Sequence, residues 1–124
     1  MNPIHILYVE DNDYLREMLG EILQNDQRKV SLCASAEEAL TAMRNQRFDV
    51  LVTDVSLPGL SGTDLARLAL GMRADQWVVL CSGYEFKLGL NDFGPNVRSL
   101  SKPFEPEELD ALMDEITASL QKLK

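Results

Sequence analysis

The sequence is short of several things, and each shortage removes a class of function. No stretch approaches the ~20 consecutive apolar residues that a bilayer-spanning helix requires. The start, Met1-Asn2-Pro3-Ile4-His5, has no positive region followed by an apolar run, so neither a membrane association nor a secretory signal is expected, and the cytoplasm is the expected location. Basic residues are outnumbered, 12 Lys and Arg against 20 Asp and Glu, for a net charge of -8. Neutralising a phosphate backbone takes clustered cations, so a nucleic-acid surface is not expected, and cations or basic partners suit the chain better. There are two cysteines and one histidine. Cys33 and Cys81 each sit in a strand-like apolar run, where cysteine behaves as a small core residue, so both are expected as buried free thiols. His5 has no second ligand type clustered with it and reads as structural rather than metal-bound or phosphorylated. No Gly-, Ser- or Thr-rich phosphate loop follows the first strand, which counts against a flavin site, and there is no repeat, low-complexity tract or linker.

What is present is a globular composition, 45% apolar and 26% charged over 124 residues, long enough to bury one core as a single domain, 1–124. Ile4–Val9 is a β-branched and aliphatic run ending in the acidic cluster Glu10-Asp11-Asn12-Asp13, so it reads as a strand with carboxylates at its C-terminal end. Asp13 is placed to cap a helix whose apolar positions are Tyr14, Leu15, Met18, Leu19, Ile22 and Leu23. Lys29–Cys33 is a second strand. Ser35-Ala36-Glu37-Glu38 has the form of a capping box and opens a helix to about Asn45, with Ala36, Ala39, Leu40 and Met43 inward. Asp49 then reads as a solvated surface residue before the third strand.

That strand, Val50-Leu51-Val52, carries Asp54 to its end, and the break Pro58-Gly59 follows. Thr63-Asp64 opens a helix through Leu65, Leu68, Ala69 and Met72, with the methionines on core faces; Trp77–Cys81 is a fourth strand, apolar throughout as in a parallel strand covered on both sides. The stretch from Tyr84 to Asn96, punctuated by Gly89, Gly94 and Pro95, reads as a short or irregular helix. Val97–Leu100 is a weak fifth strand. The last helix begins at Pro106 with Leu109, Leu112, Met113, Ile116 and Leu120 on one face, and it runs to the final residue, so no output domain is expected. Strands alternating with helices imply an α/β parallel sheet with right-handed crossovers and helices on both faces.

In such a sheet ligands bind outside the carboxyl ends of the strands, which is where Asp54 stands. A carboxylate can attack phosphorus and form an acyl phosphate. Glu10, Asp11 and Asp54 would crowd three negative charges; a pair at ~5 Å costs roughly 3 kcal/mol at an effective dielectric of about 20, so the cluster wants a cation. Mg2+, hard and inclined to bind phosphate together with one or two carboxylates, is the natural choice.

The pair Glu10-Asp11 after strand one, Asp54 after strand three with Pro58, Gly59 and Gly62 at set offsets, Ser82 after strand four, and Lys102-Pro103-Phe104 after strand five are four sites at the ends of four of the five strands. On these residues, over essentially its whole length, the chain resembles a receiver domain of the bacterial response regulators, free-standing or from a hybrid histidine kinase. The resemblance implies a flavodoxin-like (βα)5 three-layer sandwich with strands in the order 2-1-3-4-5. That order separates the second and fourth strands too far for Cys33 and Cys81 to bridge. It also implies that Asp54 is the phosphoacceptor, and that Asp11, Asp54 and the Ser56 backbone carbonyl ligate Mg2+ while Glu10 acts through water. Lys102 would pair with Asp54 and then with the phosphoryl group, Ser82 would donate its hydroxyl to that group, and Lys102-Pro103 would be a cis peptide. The implied partner is a histidine kinase or histidine phosphotransfer protein, the implied assembly a monomer or weak homodimer, and the implied role a switch, relay or phosphate sink rather than an ordinary enzyme.

Most receivers carry an aromatic three residues before the lysine, and here that residue is Ser99. Readout through the face made by the irregular segment, the fifth strand and the last helix, including Tyr84, Phe86, Ser99 and Pro103, must therefore differ, and a change of order in the Tyr84–Asn96 stretch is the expected alternative. Tyr84 would overhang Asp54 and slow hydrolysis. Two rivals stay open: a receiver-like module that binds a partner without phosphorylation, and a Mg2+-dependent aspartyl-phosphate phosphatase. The second normally needs a carboxylate two residues after its nucleophile, where this chain has Ser56.

Overall fold

The computed structural model describes residues 3–83 and 93–122. Within them the chain runs β1 (Ile4–Val9), α1 (Asp13–Leu23), β2 (Arg28–Cys33), α2 (Ala36–Asn45), β3 (Val50–Asp54), α3 (Gly62–Met72), β4 (Trp77–Ser82), β5 (Val97–Ser101) and α4 (Pro106–Lys122). All neighbouring strands are parallel and the sheet order is β2-β1-β3-β4-β5. The expected flavodoxin-like topology is therefore present. The expected irregular helix after β4, with Tyr84 and Phe86, lies outside the described residues.

Strand side chains alternate between faces, and the sequence uses both faces for core. Ile6, Tyr8, Val50, Val52, Val79 and Cys81 pack against α1 and α4 through Leu19, Leu23, Leu109, Met113 and Ile116. Leu7, Val9, Leu51, Val78 and Leu80 pack against α2 and α3 through Ala36, Ala39, Leu40, Leu65, Ala66 and Ala69. The three central strands are buried almost throughout, as a sheet covered on two sides requires. The edge strands β2 and β5 are buried only at their first residue and are half-buried or exposed beyond it.

Several local expectations are corrected. The cap of α1 is Asn12, whose side-chain oxygen accepts the Leu15 N–H at 3.0 Å; Asp13 enters the first turn instead and pairs with Arg16 at 2.6 Å. Ser61 caps α3 by accepting the Asp64 N–H, so that helix starts at Gly62 rather than at Thr63. Ser35 accepts the Glu38 N–H as a capping box demands, but the Glu38 carboxylate reaches back to the Ala34 N–H. Tyr14 (73% exposed), Ile22, Leu68 and Met72 lie on outer surfaces, because the helices bury narrower stripes than the apolar count suggests. Asp49 is not a free surface group: its carboxylate accepts the His5 N–H at 2.8 Å while its own N–H donates to the His5 carbonyl, which ties the entry of β3 to β1. Both cysteines are free, Cys81 buried and Cys33 only half-buried.

No described helix is long and apolar enough to cross a membrane.

Candidate functional site

Parallel pairing brings the ends of β1, β3, β4 and β5 to one edge. Asp54 is the last residue of β3 and stands in register with Cys81 of β4, and Ser82 stands in register with Ser101 of β5. The Lys102 N–H donates to the Ser82 carbonyl at 2.6 Å, so Lys102 leaves β5 beside the end of β4. Its peptide to Pro103 is cis, as expected.

The Lys102 ammonium lies 3.2 Å from Asp54 Oδ2 and 3.3 Å from Glu10 Oε1. Carboxylate oxygens of Glu10, Asp11 and Asp54 all lie within 4.8 Å of one another. Glu10 is buried, Asp54 half-buried and Asp11 exposed, which opens the cluster to solvent on the Asp11 side. Three carboxylates against one ammonium leave two negative charges in excess, the complement of a divalent cation. One oxygen from each of the three carboxylates within 4.8 Å of the others is a spacing that could hold a single cation. The donor set is all oxygen, as a hard cation prefers.

Ionisation follows from the same geometry. Burial raises the Glu10 pKa above the ordinary carboxylate value, against the lowering effect of Lys102, and its hydrogen bond with Asp11 and the Asp54 charge raise it further. Burial alone would lower the Lys102 pKa, but Glu10 and Asp54 together push it up, so the ammonium stays charged. Beneath them the Tyr8 phenol is pushed up by burial and then by Glu10, and Cys81 is pushed up to about 12, chiefly by burial.

Loop geometry gives glycine two special positions. Gly62 donates its N–H to the Val55 carbonyl, and a Cβ there would lie 1.9 Å from the Asp54 carbonyl oxygen. No side chain fits, so the start of α3 closes directly onto the backbone of Asp54. Gly59 takes φ 77°, a conformation costly for other residues, and the following Leu60 N–H donates to Glu37.

Two supports were not foreseen in the sequence. Arg16 donates through Nη1 to the Glu10 carbonyl at 3.0 Å and through Nη2 to Asp13, which pins the loop that carries the acidic pair. Glu37 of α2 holds the loop after Asp54 through Leu60. Only the i,i+3 spacing of Asp13 and Arg16 hinted at the first. Ser82 is buried at the end of β4 and Ser56 is exposed two residues beyond Asp54. Ser99 is exposed on β5, opposite Leu80. A cleft of about 380 Å3, lined by Leu15, Met18, Leu19, Pro103 and Phe104, opens beside Glu10 and Lys102.

A family model described as the response regulator receiver domain matches residues 6–114. The DNA-binding response regulator MtrA of Mycolicibacterium smegmatis is 33% identical over 112 residues, 86% of this chain and 47% of that protein. The transcriptional regulatory protein FixJ of Bradyrhizobium diazoefficiens is 28% identical over 118 residues, 89% of this chain and 55% of that protein. The chain thus spans about half the length of the curated relatives it matches. Among solved structures, the chemotaxis response regulator CheY4 of Vibrio cholerae superposes with a TM-score of 0.81 at 26% identity, covering 93% of this chain and 99% of that one. A response regulator receiver domain protein from Clostridium thermocellum superposes with a TM-score of 0.87 at 21% identity, covering 98% and 99%; at that identity the likeness concerns the fold.

Proposed function

Because this chain belongs to the response regulator receiver domain family, a family of regulatory switches in two-component signalling that bind Mg2+ at an acidic pocket, we propose that residues 1–124 act as one phosphoacceptor unit. Asp54 takes a phosphoryl group from the phosphohistidine of a histidine kinase or histidine phosphotransfer protein. One observation carries the reading: Lys102 Nζ stands within 3.3 Å of both Asp54 and Glu10 while three carboxylates converge beside it.

An Asp54 carboxylate oxygen forms the new O–P bond as the P–N bond to the donor imidazole breaks, and the imidazole leaves with the electron pair and takes a proton from solvent. Lys102 holds the Asp54 carboxylate in place beforehand and then stabilises charge on the phosphoryl oxygens, where a preformed cation needs no reorganisation. Asp11, Asp54 and the Ser56 carbonyl are the residues that would hold Mg2+, with Glu10 through water; when bound, the ion screens the approaching phosphoryl charge from the carboxylates. Ser82, at the end of β4, would supply a hydroxyl to the product.

The chain catalyses its own modification and slow hydrolysis and turns over no small-molecule substrate. Ser99, small and exposed, has no ring to turn inward, so readout passes through other residues of the same face, Tyr84, Phe86 and Pro103, with a change of order in the Tyr84–Asn96 stretch. The excess negative charge favours protein partners over nucleic acid for these 124 residues, and a cytoplasmic monomer or weak homodimer is part of the same proposal. DNA binding belongs by name to the longer relative MtrA.

The test is incubation with a small phosphodonor and Mg2+, followed by mass location of the modified residue. Stable labelling at Asp54 that disappears in Asp54→Asn supports the reading. Absence of labelling would instead favour a binding module that works without phosphorylation, and rapid donor turnover would favour a phosphatase.

A further inference from the structure

The loop that leaves Asp54 is anchored at its base, along its middle and at its tip. At the base the Val55 N–H donates to the Cys81 carbonyl at 2.8 Å, and the Gly62 N–H returns to the Val55 carbonyl at 2.9 Å. Along the middle, Leu57 and Leu60 set half-buried side chains against the core that lies under α2 and α3. Their burial is non-directional, so it fixes how deep the loop sits but not how its peptide planes are turned. Pro58 and Gly59, both exposed, form the tip.

The anchor at the tip comes from another helix. Glu37, in the first turn of α2, accepts the Leu60 N–H through Oε2 at 3.3 Å, across 23 residues of chain. The same oxygen would lie 2.9 Å from a Cβ built on Gly59, where φ is 77°. The carboxylate thus fills the space that a side chain at 59 would take, against a backbone turned in the way glycine allows. Local capping does not explain this reach. Ser35 already accepts the Glu38 N–H, and Glu38 already takes the Ala34 N–H. A carboxylate in the first turn suits the helix dipole, but the dipole asks only for charge there and not for a bond to a distant loop. The Leu60 bond is the one hydrogen bond that the Glu37 side chain makes with a described residue, and no described cation pairs with it.

Ser56 stands between the base of the loop and the Glu37 anchor, and its carbonyl is the backbone group proposed to hold Mg2+. Resting on that role, we propose that Glu37 is a positioning residue for the cation site. It holds the turn of the β3–α3 loop in which the Ser56 carbonyl can join Asp11 and Asp54, while itself standing outside the carboxylate cluster. Linkage makes the effect reciprocal: a cation bound beside Asp54 tightens the Glu37–Leu60 contact and with it the start of α2.

The test is titration calorimetry of Mg2+ into the full chain, Glu37→Gln and Glu37→Ala, with amide exchange at Leu60 followed in the metal-free proteins. Glutamine keeps an oxygen acceptor and loses the charge, whereas alanine loses both. Glu37→Ala is expected to bind Mg2+ about threefold more weakly, the lower end of what one hydrogen bond contributes. Its Leu60 amide should exchange faster before any metal is added. Glu37→Gln is expected to stay close to the parent in both measurements. Equal weakening in the two variants would overturn the proposal in favour of plain charge attraction to Mg2+. Parent-like Mg2+ affinity in Glu37→Ala would overturn it whether or not Leu60 exchange changes. A parent protein that binds no Mg2+ is a different failure, since it overturns the cation site itself and the proposal along with it.

Discussion

The ammonium of Lys102 lies 3.3 Å from the carboxylate of Glu10, a residue only 2% exposed, while the same nitrogen reaches Asp54 at 3.2 Å. A single cation therefore pairs with both Asp54 and the most deeply buried acid of the cluster. Replacing it without replacing them leaves negative charges facing each other in a partly desolvated site.

Lys102→Met is accordingly expected to destabilise the protein measured without divalent cations. Loss of one partner from a fully buried pair costs about 3–5 kcal/mol; Lys102 is a quarter exposed, and solvent screening reduces this to roughly 1–2 kcal/mol. Adding Mg2+ should recover stability in the variant more than in the parent, because the ion takes over the vacant cationic role. Urea midpoints for both proteins, with and without Mg2+, give the answer. Equal midpoints without the ion would mean that the pairing contributes nothing.

Gly62→Ala tests how closely α3 is pressed against the site. The new Cβ would stand 1.9 Å from the Asp54 carbonyl oxygen and 2.9 Å from Val55 Cα, and both neighbours are backbone that no rotamer change can move. We expect a loss of about 2–3 kcal/mol, at the upper end of overpacking costs, together with slower labelling at Asp54. Gly71, in the same helix, has nothing within 4 Å of a built Cβ, so Gly71→Ala should stabilise by up to ~1 kcal/mol on helix propensity. Thermal melts of the two variants side by side separate crowding from propensity; if both shift alike, the close approach at Gly62 is not what limits that position.

The strand-end residues of this site were legible in the sequence because parallel strands deliver their last residues to one edge whatever lies between them. Asp54, Glu10, Asp11 and Lys102 could thus be grouped without knowing any distance. The supports were less legible. Asn12 and Asp13 are both good caps, and only the extended backbone at Asn12 decides between them. Asp49 looked like surface because its partner, the His5 N–H, is 44 residues away. Arg28, only 4% exposed, is held by Asp110 and Asp114 of α4, 82 and 86 residues distant, a pairing no local pattern announces. Leu68 and Met72 fit the helical period yet face outward, since periodicity gives the stripe but not its width.

Arg16→Gln should act on the site without touching it. The guanidinium holds the Glu10 carbonyl at 3.0 Å and reaches no carboxylate oxygen of the Glu10, Asp11 and Asp54 cluster. Its removal should loosen the β1–α1 loop and weaken Mg2+ binding by about three- to tenfold, the order of one ordinary hydrogen bond. Far-UV spectra should be unchanged. Titration calorimetry of Mg2+ into both proteins measures the effect, and rescue by Arg16→Lys in part, through one donor instead of two, is expected; an unaltered affinity would remove Arg16 from the positioning role.

Alkaline stability gives the last prediction its sign. Cys81 has its pKa pushed up to about 12 from 9.0, chiefly by burial, and Tyr8 and Lys102 are shifted upward as well, for reasons of burial and of neighbouring carboxylates respectively. A group whose folded pKa lies above its unfolded value holds the proton better when folded. Its contribution is complete below the unfolded pKa and is lost as pH rises through the folded one. Stability should therefore fall steadily from about pH 9 upward, first through Cys81 and then through Tyr8 and Lys102 above their ordinary values near 10. Urea midpoints from pH 8 to 12 in Cys81→Ala should show a shallower early decline, the remainder coming from Cys33, whose thiol burial also pushes up, while keeping the later part. The same burial predicts that native Cys81 resists alkylation at pH 8 while half-buried Cys33 reacts first. A parent protein whose stability is flat between pH 9 and 11, or whose Cys81 alkylates ahead of Cys33, would show that the thiol is not held in the sheet as described.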